Sequence, residues 1–494
     1  MFTETGDRVL RGGFDLNLPL RSGPLRVRSW IPAGMFVLLT LVLLAGAPGA
    51  LRLAYPAAAL LLGLYFYVKS PSQYFTFTLW LYFLTPFARR LADYRIGEYI
   101  DGNTMLLAPA LVSLIALLSL TRIPKRMDDS WLAFVLLLST VLYGGALGFA
   151  ALSDHQAVLK SLVAWLGPMA FAAFVYLNWR TFPSFKESID KAALGGLLVV
   201  GFYGVLQFIF APPWDSLWLR AMEYDPASGP GVYGLPEPFA IRTFSTMNSH
   251  QPMAIVLIIL ALIALSKGER LYNFAAAIGM LPVLLSLART AWLQAAISLV
   301  LFAFLTRKAR YLKSLVAAFL ILGSVGAALS FTSFGEILQQ RVLSFSDKGD
   351  DISVGARQAG YDKGLRLAQL HPFGSGTGAM EVAYTPVIYE DFGPNDSALV
   401  ELLVDFGVIG TVAILLALFV GLRQIYLQFR QTKDAFLAAI LAIWAGLLVQ
   451  SPLNGCLDGA HGVFVWASFA LGLAYMKYTR NLQECEDTYS LSSV

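Results

Sequence analysis

The side chains best placed to do chemistry in this sequence lie at the edges of long apolar runs. SLARTAWLQAAISLVL (286–301) holds Arg289 inside a hydrophobic stretch that begins near Leu271. In mid-bilayer a guanidinium would cost ~2.5–3.5 kcal/mol or more. At a surface turn, its planar fork could instead grip phosphate or carboxylate oxygens in pairs, and it never loses its charge. Arg242 in RTFSTMNSHQPMA (242–254) and Arg357 in SVGARQAGYDKGLRLAQLHPFGSGTGAME (353–381) have comparable settings, with Asn248, His250 and His371 close by in sequence. GPNDSALVELLVDFGVIG (393–410) contains Asn395 and Asp396. A carboxylate at Asp396 could take a proton from a hydroxyl within about 2.6–3.2 Å, or cap the helix that starts near Ser397. Glu401 and Asp405, spaced i and i+4, share a helical face that should point into a bundle and away from lipid.

The elements that position these groups follow from hydropathy. The chain is 57% hydrophobic and 14% charged, with a mean hydropathy of +0.63, outside the range of soluble domains. A hydrocarbon core of ~30 Å needs roughly 20 apolar residues of helix. About fourteen such runs occur, near 31–47, 52–68, 73–88, 104–121, 131–152, 159–178, 192–211, 251–266, 271–287, 290–306, 313–332, 397–422, 434–452 and 462–478. The expected fold class is an all-α polytopic integral membrane protein. The first run follows a basic segment and lacks a small-residue cleavage site, so it reads as a retained span.

Loop charge sets the orientation, since cytoplasmic loops are rich in Lys and Arg. Arg21, Arg26 and Arg28 precede the first span, and every second loop agrees: Lys69; Arg122, Lys125 and Arg126; Arg180, Lys186 and Lys191; Lys267 and Arg270; Arg307, Lys308, Arg310 and Lys313; Arg423, Arg430 and Lys433; Lys477 and Arg480. The alternation holds only if 271–306 is two spans with a tight turn near Leu287–Arg289, which puts Arg289 at the outer surface. The chain then divides into a cytoplasmic tail (1–29), N-terminal spans (30–211), a first long outer loop (212–250), central spans (251–332), a large outer loop (333–396), C-terminal spans (397–478) and a second cytoplasmic tail (479–494). Both termini are cytoplasmic.

The outer segments carry recognisable local signals. PPWDSLWLRAME (212–223) and FGEILQQRVLSF (334–345) have amphipathic spacing, as of short helices lying in the interface. In the large loop Arg357, Tyr361, Leu365 and Ala368 are expected to share one face of a helix ended by Pro372 and three glycines. GSGTG (374–378) lacks the Lys-Ser/Thr of a phosphate-binding loop and reads as a glycine-rich turn. Arg89, Arg90, Arg95, Glu98 and Asp101 read as a charged, solvated outer loop. Cys456 and Cys485 fall on opposite faces and cannot pair; the four histidines are scattered, so no metal site and no cofactor is expected. The net charge of +4 reflects inner-face anchoring in the lipid bilayer and gives no reason to expect nucleic acid.

In order along the chain, four of these pieces resemble the O-antigen ligase and polymerase superfamily of bacterial envelope glycan assembly. RTFSTMNSHQPMA is similar to its R-x-F-x-x-x-N element before a span. SLARTAWL is similar to its R-x-A-W-L turn. Arg357 followed by HPFGSGTG is similar to its R…hP-hGxGxG stretch, and NDSALVELLVDFGVIG to its re-entry motif with H-(N or D)-x-x-L at the start. The likeness covers roughly 190–450.

The resemblance implies a GT-C-like architecture in the bacterial inner membrane, with a periplasmic active site. The implied activity is a glycosyltransferase polymerising polyprenyl-diphosphate-linked repeat units of an exopolysaccharide, capsule or O-antigen. The alternative is a ligase moving the finished glycan to a lipid or protein acceptor. It further implies that Arg289 and Arg357, with Arg242 as a third candidate, clamp the departing diphosphate. The family's ligases carry His where this chain has Asn395, which cannot act as a base. That leaves Asp396 as base or hydroxyl anchor, His250 and His371 as fallbacks, and Glu401 as a candidate for sugar hydroxyls. Partners would be the lipid-linked oligosaccharide, a glycan acceptor, and flippase, chain-length or export proteins of the same pathway. A multi-span transporter is the rival class, but it would place ionisable groups near mid-membrane. A non-catalytic export scaffold would need none of the outer arginines individually.

Overall fold

The computed structural model describes residues 30–122, 128–222, 233–307, 352–380 and 397–492, with scattered positions between 311 and 324; at 122, 352–357, 359 and 486–492 it describes the backbone alone. The run expected at 313–332 falls largely outside the described residues. FGEILQQRVLSF, Asn395, Asp396 and the side chain of Arg357 lie wholly outside them.

The described chain is helical, with one isolated bridge between Gly234 and Ile241. Its helices are α1 (Ile31–Gly46), α2 (Leu51–Lys69), α3 (Pro71–Ile96), α4 (Leu107–Leu114, flanked by 3-10 turns), α5 (Asp129–Ala151), α6 (His155–Leu177), α7 (Phe182–Phe210) and α8 (Pro213–Met222). Then come α9 (His250–Lys267), α10 (Arg270–Leu285), α11 (Arg289–Thr306), α12 (Ile352–Leu370), α13 (Ala398–Thr432), α14 (Ala435–Gln450) and α15 (Gly459–Ser492). Among the described residues nine helices are long and apolar enough to cross a membrane, and α1, α10 and α14 are shorter apolar helices. The thirteen expected runs other than 313–332 each fall on a helix.

α9 is the central pillar. Its sequence is apolar on every side, and all residues from Met253 to Ser266 are buried, as expected of a helix with no solvent or lipid face. Around it pack α7, α10, α11, α14 and α15. Aromatic side chains knit the N-terminal half: Phe75 stacks on Phe171 at 5.5 Å, and Tyr74 meets Phe174 edge-on at 4.9 Å. At the basic end, Asp128 joins α5, α6 and α15: Tyr176 Oη donates to it at 2.7 Å and Lys477 Nζ at 2.6 Å.

Several helices run past the expected ends, α3 and α13 among them. α3 continues to Ile96, so Arg89 and Arg90 are not on a solvated loop; they are 2% and 0% exposed inside a helix. α13 runs to Thr432, but Gly407 breaks it with φ 68° and ψ −175°. The 271–306 stretch is two helices, as the loop charges require: α10 ends at Leu285 and α11 begins at Arg289.

Candidate functional site

The first outer segment is organised by Arg90. Its guanidinium donates from Nε to Asp215 Oδ1 at 2.7 Å, and from the terminal nitrogens to the carbonyls of Ser245 and Met247 and to Asn248 Oδ1. Asp215, at the start of α8, also accepts from Tyr203 Oη at 2.7 Å and Gln207 Nε2 at 2.8 Å. Gln207 Oε1 in turn accepts the N–H groups of Phe244 and Ser245. The Phe244 ring lies 5.0 Å from the guanidinium carbon. Phe244 and Asn248 therefore tie their segment to α3 and α7, while Arg242, between them and the Gly234–Ile241 bridge, is half-buried. α8 is the helix expected from PPWDSLWLRAME, and its buried Asp215, Trp218 and Leu219 press it onto the bundle.

A second set of contacts surrounds Arg289. α9 begins at His250, whose ring meets Tyr233 edge-on at 5.5 Å. Next along, Gln251 donates to Thr290 Oγ1 at 2.8 Å and accepts from Gln450 Nε2 at 3.5 Å. Three helix ends meet there: the starts of α9 and α11 and the end of α14. Arg289 is the first residue of α11 and half-buried. A cation at a helix N-terminus is disfavoured by the dipole, by ~0.3–1 kcal/mol, so helix stability does not account for it.

The connection after Gln450 carries the contacts on to the large loop. Leu399 N–H donates to Ser451 O at 3.3 Å and Ala398 N–H to Asn454 O at 3.4 Å. Tyr361 on α12, one turn after Arg357, hydrogen-bonds Ser397 Oγ at 3.1 Å and the Pro452 carbonyl. The elements bearing Arg289, His250 and Arg357 thus meet through the α14–α15 connection. The inward face of α12 is Tyr361, Gly364, Leu367 and Ala368; Leu365, expected to share a face with Tyr361 and Ala368, is exposed. The step of three from 361 to 364 brings Gly364 against Val400, where any Cβ would clash at 2.1 Å. The cap of α13 is Ser397, which accepts from Val400 N–H at 3.3 Å, so capping does not require Asp396. His371 stands exposed at the end of α12, apart from these contacts.

The glycine-rich turn packs backbone on backbone. Ser375 N–H donates to Val404 O at 2.7 Å and Gly376 N–H to Asp405 O at 3.0 Å, filling carbonyls released where Gly407 breaks α13. Thr377 N–H reaches Gly144 O on α5 at 2.9 Å. Below it Glu401 accepts from Trp165 Nε1 at 3.2 Å and Asp405 is 1% exposed, so both carboxylates face the bundle. Sequence reasoning missed Arg90, Asp215, Gln251, Thr290 and Gln450. An Arg two residues past the end of the 73–88 run was the available signal for Arg90; the three amide and hydroxyl partners had none.

No curated protein matches the chain. Residues 274–415 match the family model described as O-antigen ligase. The stretch contains Arg289, Arg357, the glycine-rich turn and Gly407, but not the Arg242–Asn248 segment. Over that stretch the chain is similar to the O-antigen ligase/polymerase superfamily, a likeness that supports a membrane enzyme of the ligase/polymerase type.

Proposed function

We propose that the protein transfers a polyprenyl-diphosphate-linked glycan to a hydroxyl at the extracytoplasmic face of the bacterial inner membrane, and that it does so as a polymerase of repeat units. The observation that carries the reading is Arg289 on the first turn of α11, at the junction of the α9, α11 and α14 ends. A guanidinium beside a helix N-terminus suits a diphosphate: the fork supplies paired donors, and the helix end adds partial positive charge. As the glycosidic oxygen leaves with its diphosphate, Arg289 and Arg357 hold the accumulating negative charge, and Asp396 accepts the proton of the attacking hydroxyl. Glu401 orients sugar hydroxyls from the bundle side. A ligase is the second reading, favoured by the description of the family matched at 274–415.

The test is glycan transfer in membranes from a deletion strain complemented with Arg289→Ala or Arg289→Lys. Loss of roughly 10²–10³-fold in Arg289→Ala, with only partial rescue by lysine, is expected of a charge-stabilising group. Full activity in Arg289→Ala overturns the clamp. Single repeat units on the carrier in the deletion strain mean a polymerase; long unattached chains mean a ligase.

A further inference from the structure

At the opposite end of the bundle, the one marked cytoplasmic by its basic loops, α11 and α13 diverge and leave a cleft of about 420 Å³. Three cations line it: Arg307, Arg430 and Lys433. Among the described residues no acidic one lines it, and none of the three is in an ion pair. The nearest acid in sequence, Asp434, is committed to capping α14 through the N–H groups of Phe436 and Leu437. Arg307 and Lys433 are the C-caps of their helices in left-handed conformations, φ 47° and 52°, which glycine usually fills. Their backbone strain and mutual repulsion are both unfavourable in the bare protein.

The remaining wall is apolar and aromatic. Phe304 and Tyr426 are 61% and 45% exposed, while Phe429 is buried. The Arg307 guanidinium carbon lies 4.9 Å from the Phe304 ring centre and Lys433 Nζ 5.2 Å from that of Phe429. A converging set of cations over an apolar wall, at the depth where a helix leaves the bilayer, matches one ligand chemistry. Its phosphate needs forked and point-charge donors, and its acyl chains need the lipid-facing flank of α11 and α13.

We infer that this cleft is a binding site for the headgroup of an anionic phospholipid of the inner leaflet. Basic side chains near a cytoplasmic surface attract anionic lipid generally. The site claim is narrower: Arg307, Arg430 and Lys433 act together, and other inner-face cations do not substitute. The ligand neutralises the three charges and bridges the ends of α11 and α13. The site needs neither the glycan donor nor the outer arginines, so its failure would leave the transferase reading untouched.

The full chain, purified in detergent and stripped of lipid, is titrated with phosphatidylglycerol, phosphatidylcholine, or glycerol phosphate, and its apparent Tm is followed. Phosphatidylglycerol should raise the apparent Tm saturably and phosphatidylcholine should not. The triple variant Arg307→Gln, Arg430→Gln, Lys433→Gln should need roughly hundredfold more lipid for the same shift. A control, Lys69→Gln, Arg270→Gln, Arg480→Gln, removes three exposed cations of the same end outside the cleft and should behave as wild type. Arg307→Lys with Arg430→Lys keeps the charge and should retain most of the shift, which guards against a triple variant that merely fails to fold. An equal loss in the control, an unchanged response in the triple variant, or a full response to glycerol phosphate alone overturns the inference.

Discussion

Arg90 Nε donates to Asp215 Oδ1 at 2.7 Å, and neither side chain has any exposed surface. The pair joins α3 to α8 and, through the other guanidinium nitrogens, holds the carbonyls of Ser245 and Met247. Arg90→Ala should cost about 3–5 kcal/mol, because it leaves Asp215 buried without its counter-charge. Arg90→Lys should recover little, since a point charge cannot serve all four acceptors. Joint replacement, Arg90→Met with Asp215→Leu, should be milder than Arg90→Ala alone. Apparent Tm of the purified protein checks the order of the three.

Gly407 should be intolerant of any side chain. Its φ of 68° with ψ of −175° is glycine territory, and a Cβ would come within 2.3 Å of Gly374 N. Gly407→Ala should destabilise by about 1–3 kcal/mol or more and separate the glycine-rich turn from α13. Gly46→Ala, which meets open space, should stay within about 0.5 kcal/mol of wild type. Thermal unfolding of both variants provides the comparison.

Acidification should weaken the basic end of the bundle. Burial pushes the Asp128 carboxyl up, but hydrogen bonds from Lys477, Tyr176 and the Trp131 N–H outweigh it and leave it below its usual value of 3.8. A carboxyl depressed in the folded state contributes stability above its unfolded value, lost as pH falls through the folded one. The loss should therefore appear below about pH 4. Asp128→Asn should lower apparent Tm at neutral pH and flatten that acid limb; a parallel acid limb in the variant would place the titration elsewhere.

Gln251 is a positioning residue in the transferase reading: it bridges Thr290, beside Arg289, and Gln450. Gln251→Ala should reduce glycan transfer by roughly tenfold, the scale of one or two buried hydrogen bonds. Combined with Arg289→Ala it should add little, because both changes remove the same function. Full additivity of the two in the transfer assay would separate Gln251 from Arg289.

Much of the site was legible at the level of segments. Splitting 271–306 near Leu287–Arg289 followed from charge alternation and the length of the run, and the structure starts α11 at Arg289. The inward face of Glu401 and Asp405 followed from i, i+4 spacing, and the Trp165 hydrogen bond and the burial of Asp405 agree. Placement within a face was less legible. Leu365 was expected to share a face of α12 with Tyr361 and Ala368, but it is exposed, and Gly364 makes the close contact because only a residue without Cβ fits against Val400. Arg90 read as solvated because its partners lie far off, Asp215 at 125 positions and Asn248 at 158, whereas Arg89 pairs with Asp93 one turn along the same helix.

By itself the sequence determined the class of fold and the sidedness expected of it. In hydrocarbon every backbone N–H and C=O must be satisfied within its own segment, so an apolar run of sufficient length has to be a helix. Flanking charge is equally local. Tertiary structure alone decided which polar groups meet. Arg90 was assigned to burial, and Gly407 to a break whose freed carbonyls bind Ser375 and Gly376. Each depends on a partner brought near by packing across the bundle, and no local pattern along the chain encodes that partner.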